Sequence, residues 1–156
     1  MVTVATETKL MQILLVDDNI GDQRLTMEVF KDSKIPNKMH TACDGVEALS
    51  FLRKEGKYAK VPTPDLILLD LNMPRKDGRQ VLAEIKADAA LRRIPVLILT
   101  TSTSESDIED ALDLHANCYI TKPVDLDQFQ NMMKIVEEFW FRIVSYPKTA
   151  RLADDH

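Results

Sequence analysis

A short apolar run that ends in a single carboxylate limits what this chain can fold into more than any other stretch. Residues 66–69, with the sequence LILL, lead directly into Asp70; a Pro-Asp pair precedes the run, and turn-forming residues follow it as far as Gly78. An unbroken Leu/Ile run of this length is typical of a central parallel strand that is covered on both faces. Asp70 would then stand at the carboxyl end of that strand, the edge where open α/β sheets bind ligands.

Other apolar runs in the chain end in polar residues in the same way. One is followed by Asp17 and Asp18, and another by Thr100. A segment with apolar residues at helical spacing follows each run, and strands alternating with helices in this manner predict an α/β fold, a doubly wound (βα)5 arrangement of five parallel strands with helices on both faces. The predicted strands are 13–16, 38–42, 66–69, 96–99 and 118–120.

The predicted helices carry apolar residues at spacings of three and four. Asp44 is the predicted N-cap of the second helix, and Gly56 is placed at its C′ position. Asp125 with Gln128 matches a capping box that opens the last helix. Helix by helix, the positions on the predicted core-facing side are Leu25, Val29 and Phe30 within 22–31; Val46, Leu49 and Leu52; Val81, Leu82 and Ile85; Ile108, Ala111, Leu112 and His115; and Phe129, Met132, Met133, Val136, Trp140 and Ile143.

Length and composition exclude several classes of protein. The 156 residues are enough for one domain with one core. No apolar stretch approaches the ~20 residues that a membrane span needs, and residues 1–10 lack the features of a signal peptide, so we expect a cytoplasmic protein without a membrane partner. The net charge of −5 argues against nucleic acid as a partner. Cys43 and Cys118 have no metal-binding spacing and are predicted to be small buried hydrophobic residues.

Five polar residues are predicted to meet at the carboxyl edge of the sheet, because parallel strands all end on the same side. They are Asp17, Asp18, Asp70, Thr100 and Lys122. Carboxylates placed close together repel one another unless a cation lies among them, and an all-oxygen cluster with room for water suits Mg²⁺. A carboxylate beside Mg²⁺, with an ammonium and a hydroxyl group for the phosphoryl oxygens, is equipped to attack phosphorus. Asp70 is the predicted nucleophile.

Simpler interpretations exist for each of these residues taken alone. Asp17 and Asp18 could be a helix N-cap and a solvated turn, and Lys122 could be a surface lysine. Tyr119, on a short strand, could be a half-buried packing residue. The combination of Asp70, the acid pair and Lys122 at strand ends favours the site.

The sequence closely resembles the receiver domain of two-component response regulators, over roughly residues 11–135. The likeness consists of four motifs in the family's order and spacing, and it implies the flavodoxin-like, CheY-like version of the fold. The loop YAKVPTP, the segment DLHANCYITKP and the EEFW near the end are similar to the small regulators of cyanobacterial phytochrome kinases. The four motifs are LLVDDN (14–19), DLILLDLNMPRKDG (65–78), LILTTS (97–102) and YITKP (119–123).

The resemblance implies a role for each matching position. Asp70 accepts the phosphoryl group, Asp18 binds the metal directly, and Asp17 acts largely through water. Asn72 offers its backbone carbonyl to Mg²⁺. The remaining matches are Thr100 and Tyr119 as the switch pair and Lys122 as the active-site lysine, with a cis bond before Pro123. One departure is Thr101, where many receivers carry Ala, and it leaves the packing of that loop open.

Two functions of other classes are alternatives. A haloacid-dehalogenase-type phosphatase also uses a strand-end aspartate with Mg²⁺, but it needs a second aspartate two residues later, where this chain has Asn72. An interaction module with a vestigial site would have lost a member of the set, and none is lost. We therefore expect a phosphoaccepting regulator that receives its phosphoryl group from a sensor histidine kinase, a phytochrome by the narrower likeness. It is expected to signal to a downstream protein by contact and not to act as an enzyme.

The end of the chain predicts a dimer. We divide the chain into an N-terminal extension (1–10), a receiver domain with an extended last helix (11–144) and a tail (145–156). Phe139, Phe141 and Val144 lie off the core-facing stripe of that helix, and exposed aromatic residues of this kind form a patch that monomers seldom display. A symmetric homodimer would bury the patch. The alternative is that the tail folds back over it.

Overall fold

Five parallel strands form a single sheet in the order β2-β1-β3-β4-β5. The computed structural model describes residues 10–33, 35–71, 73, 77–100, 118–121, 127, 130, 131 and 134–138. The predicted doubly wound sheet is confirmed, and its order reverses between β1 and β3, where open α/β sheets bind ligands. The strands are β1 (Met11–Val16), β2 (Asn37–Ala42), β3 (Leu66–Asp70), β4 (Val96–Thr100) and β5 (Cys118–Thr121).

Helices follow the first three strands. They are α1 (Ile20–Lys31), α2 (Gly45–Leu52) and α3 (Gly78–Ala87), with a short 3₁₀ helix (Gly56–Tyr58) after α2. A last helix contains the described residues 127, 130, 131 and 134–138, and the predicted helix around Ile108 lies outside the described residues. Among the described helices, none is long and apolar enough to cross a membrane.

The core has two layers, one on each face of the sheet. All five residues of β3 are buried, and its four apolar residues alternate between the layers. One layer packs β3 against α2 and α3; the other packs it against Phe30 of α1 and Val136 of the last helix. Each fully buried Leu or Ile side chain contributes about 2 kcal/mol to the free energy of unfolding. This burial makes β3 a rigid support for Asp70 at its end.

Helix α1 faces the core with residues other than those predicted. Leu25 is 52% exposed, and Val29 is only partly buried, so of the three predicted apolar positions Phe30 alone is fully buried. The core-facing side instead carries Gln23, Thr26 and Phe30. The prediction was wrong because two of these positions are polar, and their burial depends on hydrogen bonds that hydrophobic periodicity does not register.

Helix α2 begins as predicted and ends differently. The Asp44 side chain accepts a hydrogen bond from the backbone N–H of Glu47 at 2.8 Å, which confirms the N-cap. The predicted C′ position at Gly56 is wrong, since the helix ends at Leu52 and Lys54 takes the left-handed conformation with φ of 57°. The N–H of Glu55 then donates to the carbonyl of Ser50, as in a Schellman motif.

Gly56 is also left-handed, with φ of +56°, but it starts the 3₁₀ helix and does not end α2. Val46 of α2 is exposed although its spacing predicted an apolar face. Cys43, just before α2, is exposed as well, so the prediction that it is buried was wrong. The side chain of Cys118 is not among those that the structure describes.

Candidate functional site

Three carboxylates meet where β1 and β3 end. These strands are neighbours, and Val16 at the end of β1 pairs with Leu69 in β3. The register places Asp17 and Asp18 beside Asp70, and one oxygen from each of the three lies within 4.8 Å of the others. The structure therefore brings together the three acids that we call the acidic triad.

The acidic triad lies at the boundary between core and solvent. Asp17 is 1% exposed and Asp70 is 5% exposed, whereas Asp18 is open to solvent. Carboxylates at this separation and in this degree of burial repel one another strongly when ionised. A hard divalent cation with oxygen ligands relieves that repulsion and can keep waters on the exposed side of Asp18. The triad is thus a candidate site for a divalent metal ion.

The turn that carries Asp17 and Asp18 is held by several hydrogen bonds. The N–H of Asp17 donates to the carbonyl of Ala42 in β2 at 3.0 Å, and its Oδ1 accepts from the N–H of Asn19 at 3.0 Å. Asn19, not an aspartate, is the N-cap of α1, because its Oδ1 accepts from the N–H of Asp22 at 3.0 Å. The simpler interpretation of the acid pair as a helix cap was therefore wrong.

The segment after Asp70 is held by the start of α3. The N–H of Gly78 donates to the carbonyl of Leu71 at 2.9 Å, and Asp77 caps the helix in a capping box with Gln80. A Cβ atom on Gly78 would lie 2.2 Å from the carbonyl oxygen of Asp70. The first residue of α3 therefore packs directly against the backbone of Asp70, the β3 member of the triad. The Asp-Gly pair before a helical segment is the sequence signal that could have identified this contact.

Two further residues at this edge were missed by sequence reasoning. Gln23 is 6% exposed and donates from Nε2 to the backbone carbonyl of Asp17 at 2.5 Å. No sequence pattern marks such an amide. The other is Tyr58, in the 3₁₀ helix after α2. Burial raises the pKa of Tyr58 to about 12, and a hydrogen bond with Glu47 adds to the shift. The Glu47 carboxylate also accepts from the N–H of Cys43 at 2.7 Å, which ties the loop after β2 to α2.

The remaining predicted residues are described in part. The backbone of Thr100 ends β4 opposite Thr121 of β5, one residue beyond the pair formed by Leu99 and Asp70. Tyr119 lies on β5 and pairs with Ile98. The predicted residues that lie outside the described part of the chain are Asn72, Lys122 with its bond to Pro123, Thr101, and the predicted interface residues Phe139, Phe141 and Val144.

Comparison with known proteins assigns the chain to a family. Residues 13–134 match the model of the response regulator receiver domain. The response regulator Rcp1 of Synechocystis sp. is 48% identical over 135 residues, which cover 86% of this chain and 92% of Rcp1.

Solved structures agree with the sequence match. The phosphorylated cyanobacterial phytochrome response regulator RcpA superposes with a TM-score of 0.77 at 53% identity and covers 85% of this chain and 95% of its own. The Mn²⁺-bound form of Rcp1 gives a TM-score of 0.74 at 50% identity, over 83% of this chain and 93% of its own. With its parallel sheet, its strand-end acids and these relatives, the chain belongs to the response regulator receiver family.

Proposed function

We propose that this receiver domain accepts a phosphoryl group on Asp70 from a sensor histidine kinase and passes the signal on by protein contact. The observation that carries the proposal is the acidic triad, in which Asp70 ends a fully buried strand within 4.8 Å of two further acids. Asp70 ends β3 at the carboxyl edge of the sheet, beside the exposed Asp18, and a partner's phosphoryl donor would approach from this solvent side. The protein is then a signalling domain that catalyses its own phosphorylation and dephosphorylation.

The metal ion of this site is Mg²⁺ in our proposal. Asp17, Asp18 and Asp70 supply the carboxylate oxygens, and the family likeness adds the backbone carbonyl of Asn72. The Mn²⁺-bound structure of the relative Rcp1 supports a divalent ion at such a site. When bound, the ion offsets the charge that the acids and the phosphoryl oxygens bring together.

Phosphoryl transfer uses Asp70 as the nucleophile. A carboxylate oxygen forms the new bond to phosphorus while the bond between phosphorus and the imidazole nitrogen of the kinase histidine breaks. The leaving imidazole takes up a proton from solvent, and water later hydrolyses the acyl phosphate. The Lys122 ammonium and the Thr100 hydroxyl are the proposed partners of the phosphoryl oxygens.

Thr100 and Tyr119 form the proposed switch. Thr100 moves its hydroxyl onto the phosphoryl group, and Tyr119 fills the space that Thr100 leaves, which reshapes the surface near β4 and β5. The backbone of both residues lies on these adjacent strands, which supports the pairing. A Thr100→Ala variant should still accept phosphate yet signal poorly; equal signalling would contradict the switch.

The kinase partner is a phytochrome in our proposal. The phosphorylated regulator RcpA, at 53% identity, is a cyanobacterial phytochrome response regulator, and this supports the narrower partner. The protein would meet the ATP-dependent kinase domain in the cytoplasm. A downstream protein, and not nucleic acid or a membrane, would receive the signal.

A mass measurement tests the proposed function. The protein is incubated with acetyl phosphate and Mg²⁺, and one added phosphoryl group is expected on wild type and none on Asp70→Asn. An Asp32→Asn variant, which changes an exposed acid at the far end of α1, should be labelled like wild type. Full labelling of Asp70→Asn would refute the assignment. Turnover of the donor without an adduct would indicate the phosphatase, and no reaction would indicate the interaction module.

A further inference from the structure

Gln23 is the one amide on the core-facing side of α1. It is 6% exposed and shares that side with Thr26 and Phe30. Burying an amide without hydrogen bonds costs roughly 1–3 kcal/mol by protein mutational data. Gln23 is therefore held in place by specific partners, and those partners lie at the edge of the sheet that carries the acidic triad.

The Gln23 side chain joins the ends of two strands. Its Nε2 donates to the backbone carbonyl of Asp17, just after β1, at 2.5 Å. The same nitrogen lies 3.8 Å from Sγ of Cys43, just after β2, within the range of a weak hydrogen bond to sulfur. An amide NH₂ group has two hydrogens, one for each contact. Gln23 thus ties α1 to both strand exits.

The carbonyl that Gln23 holds belongs to the peptide between two members of the triad. A peptide unit is planar, so fixing the oxygen of Asp17 fixes the plane from which the chain continues to Asp18. The N–H of Asp17 is already bonded to Ala42 and its carboxylate to the N–H of Asn19. The bond from Gln23 acts directly on the peptide that leads to Asp18.

We infer that Gln23 is a positioning residue for the divalent-metal site, acting through the Asp17–Asp18 peptide. This inference rests on the proposed function in so far as the triad binds a metal. Without the donor, the peptide can rotate, and the exposed carboxylate of Asp18 leaves the position that places it near Asp17 and Asp70. Groups that orient metal ligands in this way change metal affinity by about 10- to 100-fold when they are lost.

Direct metal binding tests the inference. Gln23→Met keeps the length of the side chain and removes the donor, while Gln23→Asn keeps the amide but is too short to reach the carbonyl of Asp17. Calorimetric titration of the unphosphorylated protein with Mn²⁺ and with Mg²⁺ should show about tenfold weaker binding for both variants. Thr26→Val, a change on the same buried side one turn further along α1, should bind like wild type.

Labelling kinetics distinguish a loss of metal affinity from a loss of the chemical step. In labelling with acetyl phosphate, the Mg²⁺ concentration for half-maximal rate should rise by about tenfold in the Gln23 variants. The maximal rate at saturating Mg²⁺ should stay unchanged, because Asp70 itself is untouched. A fall in the maximal rate with unchanged metal affinity would contradict the inference.

Other results would contradict the inference on Gln23 or the proposed function. Wild-type metal affinity in both Gln23 variants, or an equal loss in Thr26→Val, would show that Gln23 serves only the packing of α1. If Gln23→Met does not fold, Gln23→Asn decides, and if neither folds the positioning role is refuted in favour of a folding role. A wild-type protein that binds Mn²⁺ without becoming labelled would refute the proposed function alone. Wild type binding neither ion would overturn the inference as well.

Discussion

The backbone of Asp70 and the first residue of α3, Gly78, are packed so closely that no side chain fits between them. A Cβ atom at position 78 would lie 2.2 Å from the Asp70 carbonyl oxygen and 2.6 Å from Cα of Leu71. Both obstacles are backbone atoms at the end of a buried strand, so they cannot turn aside as a side chain could. The position of α3 relative to the proposed phosphoacceptor therefore depends on a glycine.

Replacing this glycine should disturb both the fold and the site. Gly78→Ala must push α3 away from β3, and overpacking of this kind costs roughly 1–3 kcal/mol. Urea denaturation should show that loss, and labelling of Asp70 should slow. Gly21→Ala is the comparison variant, because its Cβ would meet one side-chain atom, Asn19 Oδ1 at 3.2 Å, which need shift by only a few tenths of an ångström. Equal stability of Gly78→Ala and wild type would mean that the two backbones can separate freely.

Divalent metal should stabilise the folded protein through the acidic triad. An ion that binds only the native state adds about 2.7 kcal/mol at a concentration 100 times its dissociation constant. Thermal unfolding of wild type should shift upward with Mg²⁺ and return with a chelator. Asp18→Asn should lose most of the shift, because one of the three carboxylates is gone.

The metal-free state of Asp70→Asn gives an independent check. Three acids within 4.8 Å repel one another without a cation. Asp70→Asn should therefore unfold at a higher temperature than wild type in chelator, and at a similar or lower temperature in Mg²⁺. Asp32→Asn, remote from the triad, should follow wild type in both conditions. An Mg²⁺ response retained by Asp70→Asn would place the ion elsewhere.

His40 should make the domain less stable in mild acid. Burial, helped by the positive charge of Lys38, lowers the pKa of His40 below its usual 6.5. A lowered pKa in the folded state means that the unfolded state binds the proton more readily. The stabilisation from neutral His40 is complete above pH 6.5 and is lost as the pH falls through the folded pKa.

The measurement compares wild type with His40→Gln. The His40 ring lies 5.2 Å from that of Phe51, and its Nε2 donates to Oε1 of Gln12 at 2.8 Å. Denaturation between pH 7.5 and pH 5 should show a steeper loss of stability for wild type, and nuclear magnetic resonance should place the His40 titration below 6.5. A titration at or above 6.5 would contradict the expected sign.

Much of the sheet could be predicted because its signals are local and strong. Residues 66–69 are apolar without interruption, and such a run can be buried on both faces only in a covered parallel strand. Once the strands are parallel, the acids after β1 and β3 must share an edge. The meeting of Asp17, Asp18 and Asp70 therefore follows from topology alone.

The features that could not be predicted depend on contacts between distant segments. The apolar Leu25 is exposed, whereas the polar Gln23 is buried. Gln23 can be buried because its side chain donates a hydrogen bond to the carbonyl of Asp17 at the end of β1. Lys54, and not Gly56, takes the left-handed conformation that ends α2, at a cost of roughly 1–2 kcal/mol. Neither arrangement has a signature in the residue pattern.

The predicted homodimer rests on two adjacent residues of the last helix that differ in environment. Val136 is buried against the sheet, whereas Ile135 is exposed. Position 139 lies four residues after Ile135 and so shares its side of a continuing helix. This spacing predicts that Phe139 belongs to the same side as Ile135, and the predicted interface residues Phe141 and Val144 follow in sequence. A second copy of the chain is the partner we expect on this surface, because a symmetric pairing of like helices buries it on both molecules.

Light scattering at micromolar concentration should report a dimer for wild type. Phe141→Asp should shift the protein toward monomer, because a charge at the interface would have to be buried without a partner. Labelling at Asp70 should remain intact, since the triad is built from β1 and β3. Asn131→Asp is the matched control, because it adds the same charge to an exposed position of the same helix and should leave the dimer unchanged. A wild-type monomer, with and without phosphoryl donor, would refute the dimer and point to a tail that folds back over the aromatic residues.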